Sequence, residues 1–241
     1  MAYIQGNNDI KKAYYSELKV VKGYEQLRFH NPGGQYVHQS ESRVFVNYLS
    51  RCSDRETILD IPVGTGRMMP YIHMLGFTSV FLADYSLAMI EQCRANLLNN
   101  ECNLTQQDIY KTAYPENNFS AILCSRYFFH SDAQDKLLIE LSRILRPGGI
   151  LVFDTMTWSP RKWTTLFSKK LGGNIYTNSR KSLKSLSDNH QFEILSEESL
   201  FMLPSFVYNF LPKIVLNAVI SLERVWPKAL RTKRIWLLRK I

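Results

Sequence analysis

Residues Glu56-Thr57-Ile58-Leu59-Asp60-Ile61-Pro62-Val63-Gly64-Thr65-Gly66-Arg67 decide how the rest of the chain is read. A short apolar run ends on an acid, a glycine-bearing turn follows, and a helical stretch from Arg67 to about Leu75 comes next. A near-continuous apolar run of this length is the pattern of a strand buried on both faces. Glycines at 64 and 66 allow dihedrals closed to other residues and let the backbone come close to a ligand.

The same alternation continues on the C-terminal side. Ser79–Ala83 predicts a second strand ending at Asp84, and Ser86–Leu98 a helix with Ser86 as its N-cap. Asn103–Gln106 and Ala121–Ser125 follow as strands. Asp132–Leu145 reads as a helix closed by an Arg146-Pro147-Gly148-Gly149 turn, and Ile150–Asp154 as the fifth strand. Ser182–Asn189 predicts a helix, Gln191–Leu195 a sixth strand and Arg234–Leu238 the last. Between those last two strands, Pro204, Pro212 and Pro227 punctuate an inserted helical element. On the N-terminal side, Ser42–Leu49 reads as a helix preceded by an Asn31-Pro32-Gly33-Gly34 turn, with helical pieces around residues 8–27. Strands alternating with helices predict an α/β fold: a seven-stranded, mostly parallel sheet, helices on both faces, and an antiparallel last strand. The whole chain reads as one domain: a lid-like segment over 1–40, a core over 41–200, the helical insert over 201–232 and the last strand over 233–241.

In such a sheet ligands bind at the carboxyl ends of the strands, where the strand order reverses. Asp84 stands 18 residues beyond Gly66, where a carboxylate can accept from both ribose hydroxyls of an adenosine. The pair reads as a nucleoside site. A dinucleotide fingerprint would need glycine at position 69, which is Met69, and no Gly-Lys-Ser/Thr of a P-loop follows.

With Ala83-Asp84-Tyr85-Ser86, Gln107-Asp108 and Leu141–Gly149, the glycine turn resembles the class I S-adenosylmethionine-dependent methyltransferases over roughly residues 40–200. The resemblance implies S-adenosylmethionine as cofactor, with Gly64, Thr65 and Gly66 on its methionine part and Asp60 holding the loop or the amino group. It places Asp84 on the ribose, Tyr85 and Met89 along the adenine, Asp108 on the adenine amino group, and the Ile109 amide nearby. Ser125 through His130 would face cofactor and substrate, with Arg126 and Tyr127 on the substrate side and His130 as candidate base. Tyr14, with Tyr15 and Tyr24, belongs to a lid or to a stripe packed on the core. Arg28 reads as a cofactor-carboxylate or substrate contact, or as a surface ion pair. Strand-end capping by Asp84 and Asp108, core packing of Met89, Phe128 and Phe129, and a structural role for His130 stand as alternatives. Pro62 departs from the glycine common in the family; it stiffens the loop entrance and removes one N–H.

Charge narrows the partners. Residues 1–154 hold 15 Lys+Arg and 16 Asp+Glu, whereas residues 155–241 hold 15 and 5, so the excess of +9 sits in the last third. The cofactor residues lie in the near-neutral part, which moves the basic surplus to the acceptor side. A small-molecule acceptor is expected, whether lipid-linked, glycosyl or otherwise anionic. The rivals are a non-catalytic cofactor-binding module or partner subunit, and an RNA methyltransferase. Nucleic acid is disfavoured, because Cys124-Ser125-Arg126-Tyr127 stands where base N-methyltransferases carry an Asn/Asp-Pro-Pro-Tyr/Phe motif. Ile214, Val215, Ala218, Val219 and Leu222 fall on one helical face bounded by Lys213 and Arg224. That face reads as a helix packed over the sheet or across the substrate pocket, or as a surface that meets an anionic lipid or a long apolar substrate, with Trp226, Lys228, Arg231, Lys233 and Arg234 at the interface. No metal cluster is expected. Four scattered cysteines and no signal-like or membrane-spanning run predict a cytoplasmic protein, at most peripheral to a membrane. Oligomeric state has no signature in the sequence.

Overall fold

A computed structural model describes Val21, Gly23 and residues 30–97, 102–160 and 174–241. Tyr14, Tyr15, Tyr24 and Arg28 lie outside these residues. Seven strands form one sheet: β1 Thr57–Asp60, β2 Ser79–Asp84, β3 Asn103–Gln106, β4 Phe119–Cys124, β5 Leu145–Met156, β6 Phe192–Leu200 and β7 Lys233–Lys240. Their order is β3-β2-β1-β4-β5-β7-β6. β1 pairs in parallel with β2 and β4, β2 with β3, and β4 with β5; β7 runs antiparallel to both its neighbours. The strand order reverses between β1 and β4, so a crevice opens at their carboxyl ends.

The longer helices are α1 Pro32–Leu49, α2 Met69–Met74, α3 Leu87–Asn96, α4 Gln134–Ile144, α5 Arg180–Asn189 and α6 Lys213–Glu223. Side chains of α1, α2 and α6, with Cys93 of α3, form the core on one sheet face. Those of α4 and α5 form it on the other. The central strand β4 is buried at all six positions, as its unbroken apolar run requires.

Several boundaries differ from the sequence reading. Asn31-Pro32-Gly33-Gly34 is a helix start rather than a turn. The Asn31 side chain accepts from the Gly34 N–H at 2.7 Å and Pro32 occupies the first turn, where its missing N–H costs nothing. Gly33 is required there, because a Cβ would lie 1.8 Å from the Tyr208 carbonyl oxygen. The Arg146–Gly149 stretch does not separate helix from strand; it lies inside β5, with a register shift against β4 between Phe119 and Ala121. β6 and β7 run further than their apolar cores suggest, because each pairs along nearly its whole length with the other.

Candidate active site

The turn after β1 is built by hydrogen bonds from both neighbouring strands. The Ile61 N–H donates to the Leu123 carbonyl of β4 at 2.9 Å, and the Val63 N–H to Ala83 of β2 at 2.8 Å. The Ile61–Pro62 peptide is cis, and position 62 has no N–H to satisfy between these two bonds. Gly64 and Gly66 both have positive φ, +57° and +84°. A Cβ on Gly64 would meet no neighbour, whereas one on Gly66 would come 2.9 Å from the Cys93 sulfur. Gly64 is therefore set by backbone conformation and open space, and Gly66 by conformation and close packing.

Asp84 at the end of β2 ties the two turns together. One carboxylate oxygen accepts from the Gly64 N–H and the other from the Ser86 N–H, both at 2.9 Å. Helix capping, which the sequence left open for Asp84, falls instead to Ser86, whose hydroxyl accepts from the Met89 N–H at 3.2 Å. A carboxylate accepts about four hydrogen bonds, so Asp84 retains capacity for a ligand hydroxyl. Burial pushes its pKa up to about 6. Asp60, beneath the turn, is fully buried; burial, with Asp84 adding to it and Arg67 opposing, raises it to about 8. Its Oδ1 and the Thr65 hydroxyl are buried with no hydrogen-bond partner.

Around this turn lies a cavity partly open to solvent. Of the residues singled out in the sequence, Gly64, Thr65, Asp84, Tyr85, Met89, Asp108, Ile109, Ser125, Arg126, Tyr127 and His130 line it. Asp60 and Gly66 stand behind that lining.

Three supports were not read from the sequence. Glu140 of α4 accepts from the Thr112 N–H at 2.7 Å and its hydroxyl at 2.6 Å, pinning the loop that carries Asp108 and Ile109. Asp154 of β5 accepts from the Arg126 N–H at 2.5 Å, with Arg126 at φ +59°. Phe128–His130 then forms a 3₁₀ turn with Phe128 and Phe129 buried, as their core reading supposed.

The third support is a buried charge cluster. Glu41 of α1 has no exposed surface and pairs with Lys233 of β7 at 2.6 Å, Arg126 at 3.3 Å and Arg67 at 3.6 Å. Lys233 also pairs with Asp154. Burial alone raises the Glu41 pKa, but Lys233, Arg126 and Arg67 together outweigh it and hold Glu41 at about 2. His38, one turn earlier, meets the Arg67 guanidinium at 2.5 Å through Nδ1. Arginine has no acceptor atom, so Nδ1 accepts and the ring proton sits on Nε2, facing the Tyr71 hydroxyl at 3.4 Å. Burial and the Arg67 charge lower His38 to about 4, and the ring is neutral near pH 7.

A methyltransferase-domain family model matches residues 59–153, the stretch from β1 to β5 that builds this cavity. The demethylmenaquinone methyltransferase of Chlamydia pneumoniae is 28% identical over 163 residues, 60% of this chain and 70% of that one. These matches support a class I S-adenosylmethionine-dependent methyltransferase. The ubiquinone/menaquinone biosynthesis C-methyltransferase of Escherichia coli is 30% identical over 103 residues, 40% of this chain and 41% of its own length. Among solved structures, magnesium protoporphyrin IX methyltransferase from Synechocystis with bound S-adenosylhomocysteine shares the methyltransferase fold at a TM-score of 0.68. That match has 12% identity and covers 98% of this chain and 100% of that one. The cofactor of this methyltransferase is S-adenosylmethionine. The donor set fits such a group: an ammonium and ribose hydroxyls are donors, and the turn presents buried acceptors, two of them without partners in the structure. Among the described residues no three His, Cys, Asp or Glu side chains cluster to hold a metal ion, and no helix is long and apolar enough to cross a membrane. The four cysteines are free thiols.

Proposed function

We propose that this methyltransferase transfers the cofactor's methyl group to a small organic acceptor carrying an acidic or anionic group. The observation that carries this reading is the pair of guanidiniums, Arg67 and Arg126, set in the cavity wall against a buried carboxylate. Gly64, Thr65 and Gly66 shape the methionine end of the cofactor subsite, with Asp60 answering the ammonium. Asp84 accepts from the ribose, Tyr85 and Met89 flank the adenine, and Asp108 with the Ile109 amide reads its edge. Ser125 closes the cofactor side, and Arg126, Tyr127 and His130 form the acceptor side.

When bound, the cofactor supplies an electrophilic methyl on a sulfonium. The chain's own task is alignment, exclusion of water and removal of one proton from the acceptor. Apolar side chains of Ile61, Val63, Met68, Met89 and Ile109 line the cavity and favour exclusion of water. Arg126 orients the acceptor through its charge. His130, which lines the cavity, takes the proton.

The test is methyl transfer from isotope-labelled cofactor into a metabolite extract fractionated by charge. Label entering acidic small molecules supports the proposal. Label confined to RNA, or binding of cofactor by calorimetry with no transfer to any fraction, refutes it.

The two buried acids add a pH signature. Each has a folded pKa above the usual carboxylate range: in the ligand-free fold both hold a proton below about pH 6, and Asp60 keeps its own up to about pH 8. The stability of that fold therefore declines as pH rises through about 6 and then about 8. Donors on the ligand favour the ionised acids, and binding then releases protons. Affinity for S-adenosylhomocysteine, measured by calorimetry, should tighten roughly tenfold per pH unit between pH 6 and 7.5. Asp60→Asn should flatten that slope. A wild-type affinity independent of pH, or an unchanged slope in the variant, would exclude Asp60 as the ammonium's partner.

A further inference from the structure

Residues 201–232 connect β6 to β7 and pack on α1 through one side only. α6 turns Leu216, Val219 and Glu223 inward. Ile214, Val215, Ala218 and Leu222 lie beside Val219 on the same broad apolar face but are left exposed. An amphipathic helix buries its apolar face for its own fold; α6 buries only one edge of it. The uncovered part continues beyond the helix. Phe206 and Phe210 precede it, 79% of Phe210 being exposed, and Val225, Trp226 and Leu230 follow it. Every residue from Arg224 to Leu230 is exposed.

The charges of this segment are sorted by sign. Its one acid, Glu223, is buried and accepts from the Tyr36 and Tyr208 hydroxyls and from the Met202 N–H. Lys213, Arg224 and Lys228 are exposed among the apolar side chains. Two cations assigned to this surface from sequence are elsewhere. Lys233 is buried in the Glu41 cluster, and Arg234 is buried over the Trp236 ring, with its guanidinium carbon 5.3 Å from the ring centroid. Arg231 is half-buried, donating to the Ser199 and Glu223 carbonyls.

We propose that residues 206–230 dock on a lipid bilayer bearing anionic headgroups. Apolar side chains insert to the headgroup boundary, Trp226 sits at that level, and Lys213, Arg224 and Lys228 meet phosphate oxygens. Exposed apolar groups interleaved with cations alone match an anionic apolar boundary. A second copy of the same all-cationic face would meet like charge. The surface is independent of the methyl-transfer reading, and its test needs no catalysis.

The full chain is sedimented with vesicles of phosphatidylcholine alone and of phosphatidylcholine with phosphatidylglycerol. Pelleting with the anionic vesicles, released by added salt, is expected. Lys213→Glu with Lys228→Glu should weaken partitioning by roughly fivefold for each cation removed. Phe210→Ser, Ile214→Ser and Val225→Ser together should abolish it while leaving circular dichroism and the melting temperature unchanged, because all three side chains are exposed. No pelleting at low salt, wild-type pelleting by both variants, or a vesicle-free dimer lost in the serine variant would overturn the proposal.

Discussion

Lys233→Met should destabilise the fold by about 3–5 kcal/mol, the cost of breaking a buried ion pair from one side. The ammonium is fully buried and lies within contact of two fully buried carboxylates, Glu41 and Asp154. Methionine fills a similar volume, so the loss is electrostatic rather than a cavity. Glu41 would then keep the guanidiniums of Arg126 and Arg67, the nearer at 3.3 Å, while Asp154 would keep the Arg126 backbone N–H and no cation in contact among the described residues. For a chain of this size the melting temperature should fall by roughly 10 °C. Glu41→Gln combined with Lys233→Met should recover part of the loss, because one stranded charge is removed with its partner. An unchanged urea midpoint in the single variant would mean that the cluster carries no stability. The acid limb offers a second reading of the same contact. Glu41 has a folded pKa below its ordinary value, so its contribution is intact above about pH 4.5 and disappears as pH falls through about 2.

The second large effect concerns turnover. His130→Gln keeps a side chain of similar reach and removes the titrating ring, and kcat should fall by roughly 10²–10⁴ if this group takes the acceptor proton. The affinity for S-adenosylhomocysteine should hold within about twofold, since no cofactor contact is assigned to this side chain. The pH profile of kcat is the diagnostic: its acidic limb should vanish in the variant. His130 is buried on the 3₁₀ turn, its N–H donating to the Tyr127 carbonyl at 2.7 Å and its ring against Phe129 at 4.5 Å. A purely structural histidine would instead lower the melting temperature and leave the shape of the profile intact. That outcome would remove His130 from the chemistry.

The cavity around the β1 turn was legible because its signals are local. Asp60, Gly64, Gly66 and Asp84 occupy strand ends and a turn where spacing along the chain translates directly into spacing in the crevice. The seven strands along the chain followed from the same rhythm of apolar runs; their order in the sheet did not. Contacts between distant segments leave no such rhythm. Glu41 and Lys233 are separated by 192 positions, and each looks like an ordinary solvated charge in its own neighbourhood. Only the packing of α1 across β5 and β7 brings them together. His38 and Glu223 were overlooked for the same reason: their partners, Arg67 for one and Tyr36 and Tyr208 for the other, come from different elements. α6 was legible as amphipathic, yet a wheel drawn from sequence does not say which edge of its broad apolar face the fold covers. Asn31–Gly34 misled because Pro-Gly-Gly is turn chemistry, and the capping amide and the close approach of Tyr208 turn it into a helix entrance.

The inward placement of Glu223 has an operational consequence. With that carboxylate engaged by two tyrosines, the outer surface of residues 201–232 exposes only lysine and arginine charges, which stay constant from acid to mildly alkaline solution. The crevice beneath the β1 turn, by contrast, holds two acids that change protonation across the neutral range. Ionic strength is thus a control acting on the outer face, and proton activity a control acting on the inner one. A titration of either variable leaves the other face largely undisturbed, so one preparation of unmodified protein suffices to separate surface attachment from ligand capture.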